Sequence, residues 1–583
     1  MDNFVANLQN FCYICWLKTY KKTMTATNPN IIPANYQKEL PLVEIIINEK
    51  PGEERVDFDI VFVGAGPASL AGAIKLAQLV KQENEKTGGR LGEIQIAVVE
   101  KANEVGQHIL SGAIINCRAF RELFPDLKAE EFPFCGPVKG EKVLFLTKKK
   151  TIRLPTPPPM KNHGNFVASL CEVTRWLAQK AEELGVNIIT GFPVKGLLVE
   201  NNQVIGVRTS DSGKNRDGKP LENYQPSTDI AAKVVVLGEG SRGLLTLGFL
   251  KWQNIKSPNP QIYAQGVKEI WQTKTPLKEV VHTMGWPLPA DVFGGSFMYP
   301  MSENLVALGI VVGLDYEDAN LDPHYLLQEM KTHPFFRKYL EGGERLEWGA
   351  KTIPEGGYYS LPEKLSGNGV MIVGDSAGLV DVPSLKGIHY AMSSGILTAQ
   401  TILEALKRND FSVESLGWYD RAVKESFIIK DLWKRRNMRL TFKSGFYWGS
   451  VKASLMQISG GRLFGKRIEI TADSQVPRSF SPPKSGYATF QPDGKLTFSK
   501  LDSVFKSGNA TRDNIPSHLI VGENVPLEVA EFYSHVCPAG VYEVAEGKLH
   551  ISPPNCIDCK ATDVLAPRWT PREGGSGPRY KRM

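Results

Sequence analysis

Three constellations in this chain combine residue types and spacings that can do chemistry. The first is Gly64-Ala65-Gly66-Pro67-Ala68-Ser69, directly behind the apolar run Ile60-Val61-Phe62-Val63. A glycine pair between a strand and a helix lets backbone N–H groups approach a pyrophosphate and aims the helix N-terminus at its charge. The third position of the pattern is Ser69, small enough for a helix to pack on a strand. An acid is expected at the end of the following strand, to bind ribose hydroxyls, and residues 94–100 end on Glu100. The wide gap between turn and acid is assigned to an insertion over 81–93. This predicts a dinucleotide-binding βαβ unit and leaves FAD and NAD both open.

The second constellation closes on Gly374-Asp375, behind the apolar run 369–373. A carboxylate there can accept hydrogen bonds from a sugar chain. A further buried strand and small-residue turn is expected over 233–241. The order of glycine turn, second strand-turn and Gly-Asp points to FAD. Residues 106–115, with Ser111 and Gly112, mix small and apolar types that suit a cofactor wall or ordinary core. The candidate cofactor set is Gly64, Gly66, Ala68, Ser69, Glu100, Ser111, Gly112, Gly374 and Asp375.

The third is Cys537-Pro538 with Cys556-Ile557-Asp558-Cys559. A C-x₂-C pair with a distant Cys-Pro matches ferredoxin-like iron–sulfur ligation. A ferredoxin run carries its next thiolate three residues on, where this chain has Thr562. Three thiolates can hold a three-iron cluster, hold a four-iron cluster with an oxygen ligand such as Asp563 or water, or be the remnant of a lost site.

The elements that must position these groups follow from the rest of the chain. At 583 residues, three or four domains of about 150 residues are expected. Apolar content of 42% and charged content of 22% describe a soluble globular class, and no apolar run reaches the ~18 residues of a membrane span. Eight cysteines, none between Cys171 and Cys537, do not form a disulfide framework. The first 24 residues match neither a secretory signal nor an Arg-rich transit peptide and read as an extension. Residues 25–57 read as a polar arm, 148–159 as a loop and 172–184 as an amphipathic helix. Residues 186–189, 196–200 and 204–209 are expected to form a small sheet, with 210–226 a polar loop. Residues 261–313 read as a separate antiparallel sheet, and 395–406 as a helix.

The net charge of +7 is uneven: 430–467 holds ten Lys or Arg against one acid, a net of +9 that leaves −2 elsewhere. Within it Leu440, Tyr447, Trp448, Val451, Leu455 and Ile458 fall near one helical face. An apolar stripe with basic flanks is the pattern of a helix lying in a membrane interface. No nucleic-acid module accompanies the charge.

With these segments in view, the chain resembles the electron transfer flavoprotein–ubiquinone oxidoreductase family. The resemblance runs from about 57 to 580. It rests on Gly64-Ala65-Gly66-Pro67-Ala68, 108–112, Asn162-His163-Gly164-Asn165, Lys268-Glu269-Ile270-Trp271, His282-Thr283-Met284-Gly285-Trp286-Pro287-Leu288, Gly294-Gly295-Ser296-Phe297, 309–316, Glu341-Gly342-Gly343, 537–542 and Glu573-Gly574-Gly575. It implies a mixed α/β enzyme, an electron-transferring-flavoprotein dehydrogenase. Its parts are an FAD-binding Rossmann-like domain, an antiparallel-sheet quinone-binding domain and a C-terminal ferredoxin-like [4Fe–4S] domain. The expected division is 1–56 extension and arm, 57–260 first FAD part, 261–350 quinone sheet, 351–470 FAD return with the interface helix at about 440–460, and 471–583 cluster domain. Electrons would come from electron transfer flavoprotein and leave to ubiquinone at Gly294 and Gly295. The enzyme would be a monotopic monomer on an inner membrane, bacterial or mitochondrial, inserted through roughly 106–127 and 442–461. Cys537, Cys556 and Cys559 match three cluster ligands and Thr562 the fourth position. The alternatives are a flavin-dependent geranylgeranyl reductase and a membrane-surface relic with an impaired cluster.

Overall fold

In a computed structural model, the protein is described over residues 30–480 and 491–583. The first 24 residues, with Cys12 and Cys15, lie outside that range. Short apolar runs build a parallel sheet ordered Asn187–Thr190, Ile96–Glu100, Ile60–Val63, Val234–Leu237 and Val370–Ile372, with Ser366–Gly367 antiparallel at one edge. Ile60–Val63 and Val234–Leu237 are buried throughout, as strands covered on both faces must be. The helix Pro67–Thr87 leaves the glycine turn with Pro67 at its first position and packs on the helix Ile388–Arg408.

Several expectations change. The helix runs on to Thr87, so half of the supposed 81–93 insertion is helical extension. The strand expected at 186–189 is Asn187–Thr190 and belongs to the parallel sheet rather than the small one. The small sheet is built from Ile46–Ile47, Val194–Glu200, Gln203–Thr209, Asp229–Ala231 and Val56–Asp57, so the arm adds two strands to it. The loop 210–226 contains the hairpin Ser212–Lys214 with Pro220–Gln225. The loop 148–159 contains the strand Thr151–Leu154.

The antiparallel sheet has the order Glu344–Pro354, Tyr263–Gln272, Leu305–Gly313, Gly294–Ser302, Val280–Gly285, Glu141–Leu146 and Thr151–Leu154. It is wider than 261–350, because two strands arrive from 141–154 and the first runs to Pro354. Glu141–Leu146 pairs with Val280–Gly285 in parallel, a non-local pairing that periodicity does not reveal. The C-terminal region, with helices Lys500–Lys506, Leu527–Val536 and Ala561–Leu565, shares one apolar core with this sheet.

The interface helix is not continuous. Met438–Thr441 is a short buried turn, and Gly445 at φ 87° breaks the chain before the helix Phe446–Ile458. Leu440 is therefore core, on the far side of the break. Trp448, Val451, Leu455 and Ile458 do share an outward face, with Trp448 69% and Ile458 82% exposed. Three of the ten cations turn inward: Arg439 pairs with Asp315 and Glu355, Arg435 pairs with Asp381, and buried Arg436 donates to the Gly465 and Trp433 carbonyls.

One buried anion ties the antiparallel sheet to its surroundings. Glu269 accepts from Lys331 Nζ at 2.8 Å, Trp271 Nε1 at 2.7 Å, Gln328 Nε2 at 3.2 Å and Arg345 Nη1 at 3.3 Å. Burial alone would raise its pKa, but Lys331 and Arg345 outweigh it and hold the carboxyl below the ordinary range. Its stabilisation is present above the unfolded pKa of about 4.3 and is lost as pH falls through the depressed folded value. Glu269→Ala strands two buried cations and should cost about 3–5 kcal/mol, read as a lower urea midpoint of the antiparallel-sheet unit.

Candidate functional site

The two sheets enclose a cavity of about 1090 Å³. That exceeds the roughly 300–1,000 Å³ of an ordinary small-molecule site, so it has room for a dinucleotide and a second ligand. Gly64, Gly66, Ala68, Glu100, Ser111, Gly112, Gly374 and Asp375 all line it, and so do Gly294 and Gly295. Ser69 does not. It is buried beneath the turn, where a Cβ on Gly238 would lie 2.1 Å from its Oγ, and its contribution is packing.

The turn is built for close approach. Gly64 has φ 92°, and a Cβ there would come within 2.7 Å of the Gly238 carbonyl. Glu100 is braced across it: Oε2 accepts from the Ala65 N–H and Oε1 from the Ala102 N–H, both at 2.9 Å. The Gly374 N–H donates to Ser394 Oγ at 3.0 Å. Burial pushes the Asp375 carboxyl up to about 6, with Lys351 pulling the other way.

Further wall residues carry chemistry that the motifs did not single out. Lys268 Nζ donates to the Ser111 carbonyl at 2.9 Å, fixing that backbone, and burial lowers its pKa to about 8. Tyr299 Oη and His282 Nε2 are 2.6 Å apart on the cavity wall. Burial raises the phenol well above its usual range and drops the imidazole to about 3, so both are neutral near pH 7. Their strands are paired at His282 and Phe297. His282 stood in the family-like segment, but its partner lies seventeen residues away on the next strand. His108 lines the cavity with neither ring nitrogen hydrogen-bonded within the described residues.

The cavity reaches the surface helix: Phe293, Phe442, Ser450, Ser454, Gln457 and Ile458 line it too. The segment 106–127 turns part of its apolar side chains inward. Ile114, Ile115, Phe120 and Leu123 face the interior, while Ile109, Leu110, Phe124 and Leu127 are half-buried. No helix among the described residues is long and apolar enough to cross a membrane.

At the C-terminal end Cys537, Cys556 and Cys559 are buried and face one another. Burial pushes the Cys556 thiol up to about 12 and the other two upward; iron ligation is what holds such groups as thiolates. Their loop is stapled to the cavity wall: the Thr352 N–H donates to the Cys559 carbonyl at 3.0 Å, and Lys351 Nζ to the Asp558 carbonyl at 3.2 Å. Asp563 is not available as a ligand. Oδ2 accepts from Arg242 Nε at 2.8 Å and Oδ1 from the Trp569 N–H at 2.9 Å.

Comparison with known proteins completes this picture. Two family models match: "ETF-QO, ubiquinone-binding" over residues 263–353, and "Electron transfer flavoprotein-ubiquinone oxidoreductase, 4Fe-4S" over residues 494–581. The electron transfer flavoprotein-ubiquinone oxidoreductase of Oryza sativa subsp. japonica, a mitochondrial protein, is 36% identical over 91% of this chain and 94% of its own length. The Pseudomonas aeruginosa relative is 37% identical over 91% of this chain and 100% of its own. The chain belongs to the electron transfer flavoprotein–ubiquinone oxidoreductase family. Among solved structures, a geranylgeranyl bacteriochlorophyll reductase-like protein of Thermoplasma acidophilum aligns with a TM-score of 0.53 at 20% identity, covering 72% of this chain and 95% of its own. That likeness is one of fold. A side chain at position 64 collides with the Gly238 carbonyl, so Gly64→Ala should purify with at least tenfold less bound FAD by absorbance, while far-UV circular dichroism stays unchanged.

Proposed function

We propose that this chain accepts electrons from reduced electron transfer flavoprotein and delivers them to ubiquinone, acting as a monomer on a membrane surface. The observation that carries this reading is the single cavity that joins the glycine turn to Gly294 and Gly295 and reaches the exposed apolar helix. FAD and an iron–sulfur cluster supply the electron-carrying chemistry when bound.

The chain's own residues supply binding, orientation and proton handling. Backbone N–H groups around Gly64 and Gly66, at the start of the helix Pro67–Thr87, meet the pyrophosphate charge. Glu100 and Asp375 offer carboxylate acceptors to sugar hydroxyls. Lys268 and Ser111 fix the wall at the redox end. Gly294 and Gly295 leave strand backbone open to the quinone. Quinol formation takes up protons, and the Tyr299–His282 pair holds one at Tyr299 Oη on the wall.

The outward face of Trp448, Val451, Leu455 and Ile458, with exposed Lys443, Arg462 and Lys466 around it, suits entry of a lipid-dissolved substrate. This favours an enzyme over a relic, since Asp375, Glu100 and the quinone-side glycines share one cavity. The membrane is proposed to be an inner membrane, bacterial or mitochondrial.

Two measurements test this. Tyr299→Phe should slow reduction of a soluble quinone analogue by about 10²-fold, while single-turnover flavin reduction by reduced electron transfer flavoprotein is unchanged; equal loss in both steps would refute the proton role. Trp448→Asp with Leu455→Asp should abolish sedimentation with anionic vesicles and leave turnover of the soluble analogue intact. Retained sedimentation would rule this helix out as the membrane contact.

A further inference from the structure

The fourth corner of the cysteine site presents oxygen. Thr562 begins one turn beyond Cys559, inside the short helix Ala561–Leu565, at the spacing where a ferredoxin pattern has its next thiolate. The buried phenol of Tyr542 faces Thr562, Cys537 and Cys556, so the same corner is flanked by two hydroxyl groups. Other donors are committed. Asp563 is held by Arg242 and the Trp569 N–H. Asp558 is held by Arg572, Lys101 and Trp569 Nε1. Cys171 donates its thiol to the Ile109 carbonyl at 3.2 Å. Among the described residues, the competing donors are the Tyr542 and Tyr580 hydroxyls and His518, whose ring nitrogens have no hydrogen-bond partner and which lies within 4.8 Å of the Cys556 and Asp558 donor atoms.

We propose that three thiolates, Cys537, Cys556 and Cys559, hold the cluster in this chain, and that the Thr562 hydroxyl oxygen binds its fourth iron. The inference rests on reading 494–581 as the cluster domain. The residues fit three corners of a [4Fe–4S] centre and depart from the pattern at the fourth. An alkoxide or hydroxyl is a harder and weaker iron ligand than a thiolate, so this iron is the labile one. A one-electron oxidant such as ferricyanide takes one electron from [4Fe–4S]²⁺. The bonds from the unique iron to the Thr562 oxygen and to its three sulfides break, Fe²⁺ leaves, and [3Fe–4S]⁺ remains on the three thiolates. Charge balances, because the second ferrous iron of the original pair becomes ferric.

The full-length chain, purified without oxygen, is the sample. Iron and sulfide are counted against bound flavin, and EPR spectra are recorded before and after one equivalent of ferricyanide. The wild type should lose one iron per flavin and develop a three-iron signal. Thr562→Cys should keep all four irons and shed iron roughly tenfold more slowly, within the range that changes around a metal produce. Thr562→Val should lose the iron faster than wild type. Bound flavin reports on folding in each variant.

Equal retention by wild type and Thr562→Cys would overturn the proposal. So would faster iron loss in His518→Ala with none in Thr562→Val, or in a Cys12→Ser/Cys15→Ser double variant, which would assign the corner to those residues. Full flavin with no iron–sulfur signal in either wild type or Thr562→Cys would overturn the cluster reading as well. Quinone-analogue turnover, read in the same samples, separates that result from failure of the enzymatic reading.

Discussion

The redox part of this molecule depends on one buried carboxylate, Asp558, between the two cysteines of the C-x₂-C pair. It accepts from Arg572 Nη2 and Trp569 Nε1 at 2.9 Å each, and it pairs with Lys101, the residue after Glu100. Burial alone would raise its pKa; Arg572 and Lys101 outweigh that and hold it well below the usual carboxylate range. A buried anion with two cations and an indole donor is stable only as a complete set, because losing any partner leaves an uncompensated charge. The arrangement therefore locks the cysteine loop to the end of the strand that closes on Glu100. Lys101 and Lys560 also lie over the Trp569 ring, at 4.7 and 4.4 Å from its centroid. Cluster loop and cofactor turn are thus one rigid construction, as electron transfer over a fixed gap requires.

The second constraint is the shared wall. The strand Glu344–Pro354 pairs with Tyr263–Gln272 on one edge, gives Lys351 and Thr352 to the cysteine loop, and lines the cavity with Lys351, Thr352 and Ile353. The cysteine loop and the Gly294–Gly295 pair both rest on this antiparallel sheet, in which Glu269 is buried. The cavity then reaches the surface beside the exposed helix. On the proposed membrane-surface reading that opening faces lipid; no helix among the described residues is long and apolar enough to span.

Much of the fold was legible locally. The glycine turn, the acid ending the second strand and the Gly-Asp turn sit where their spacing said, because phosphate and ribose recognition needs small residues and a carboxylate at fixed offsets along one βαβ path. Other expectations missed for a common reason. The strands Glu141–Leu146 and Thr151–Leu154, the place of Asn187–Thr190 and the pairing of the arm all depend on partners far away in sequence. Periodicity reads which face is apolar and is blind to what will cover it. The same limit explains Leu440, which matched the helical stripe yet is core because Gly445 reverses the chain just after it.

By itself the sequence determined the chemistry on offer: a dinucleotide turn, its acids, three thiols with threonine at the fourth position, and a basic stretch with apolar residues at helical spacing. These are properties of residue type and short spacing, which folding does not alter. Only the tertiary structure decided which of them meet. It set Ser69 under the turn, committed Asp563 to Arg242, and turned Ile114, Ile115, Phe120 and Leu123 inward. It also brought Tyr299 onto His282, and set the glycine turn, Asp375 and the Gly294–Gly295 pair around one cavity. Those outcomes turn on competition for buried hydrogen-bond and ion partners, and that competition is settled only when distant strands have packed.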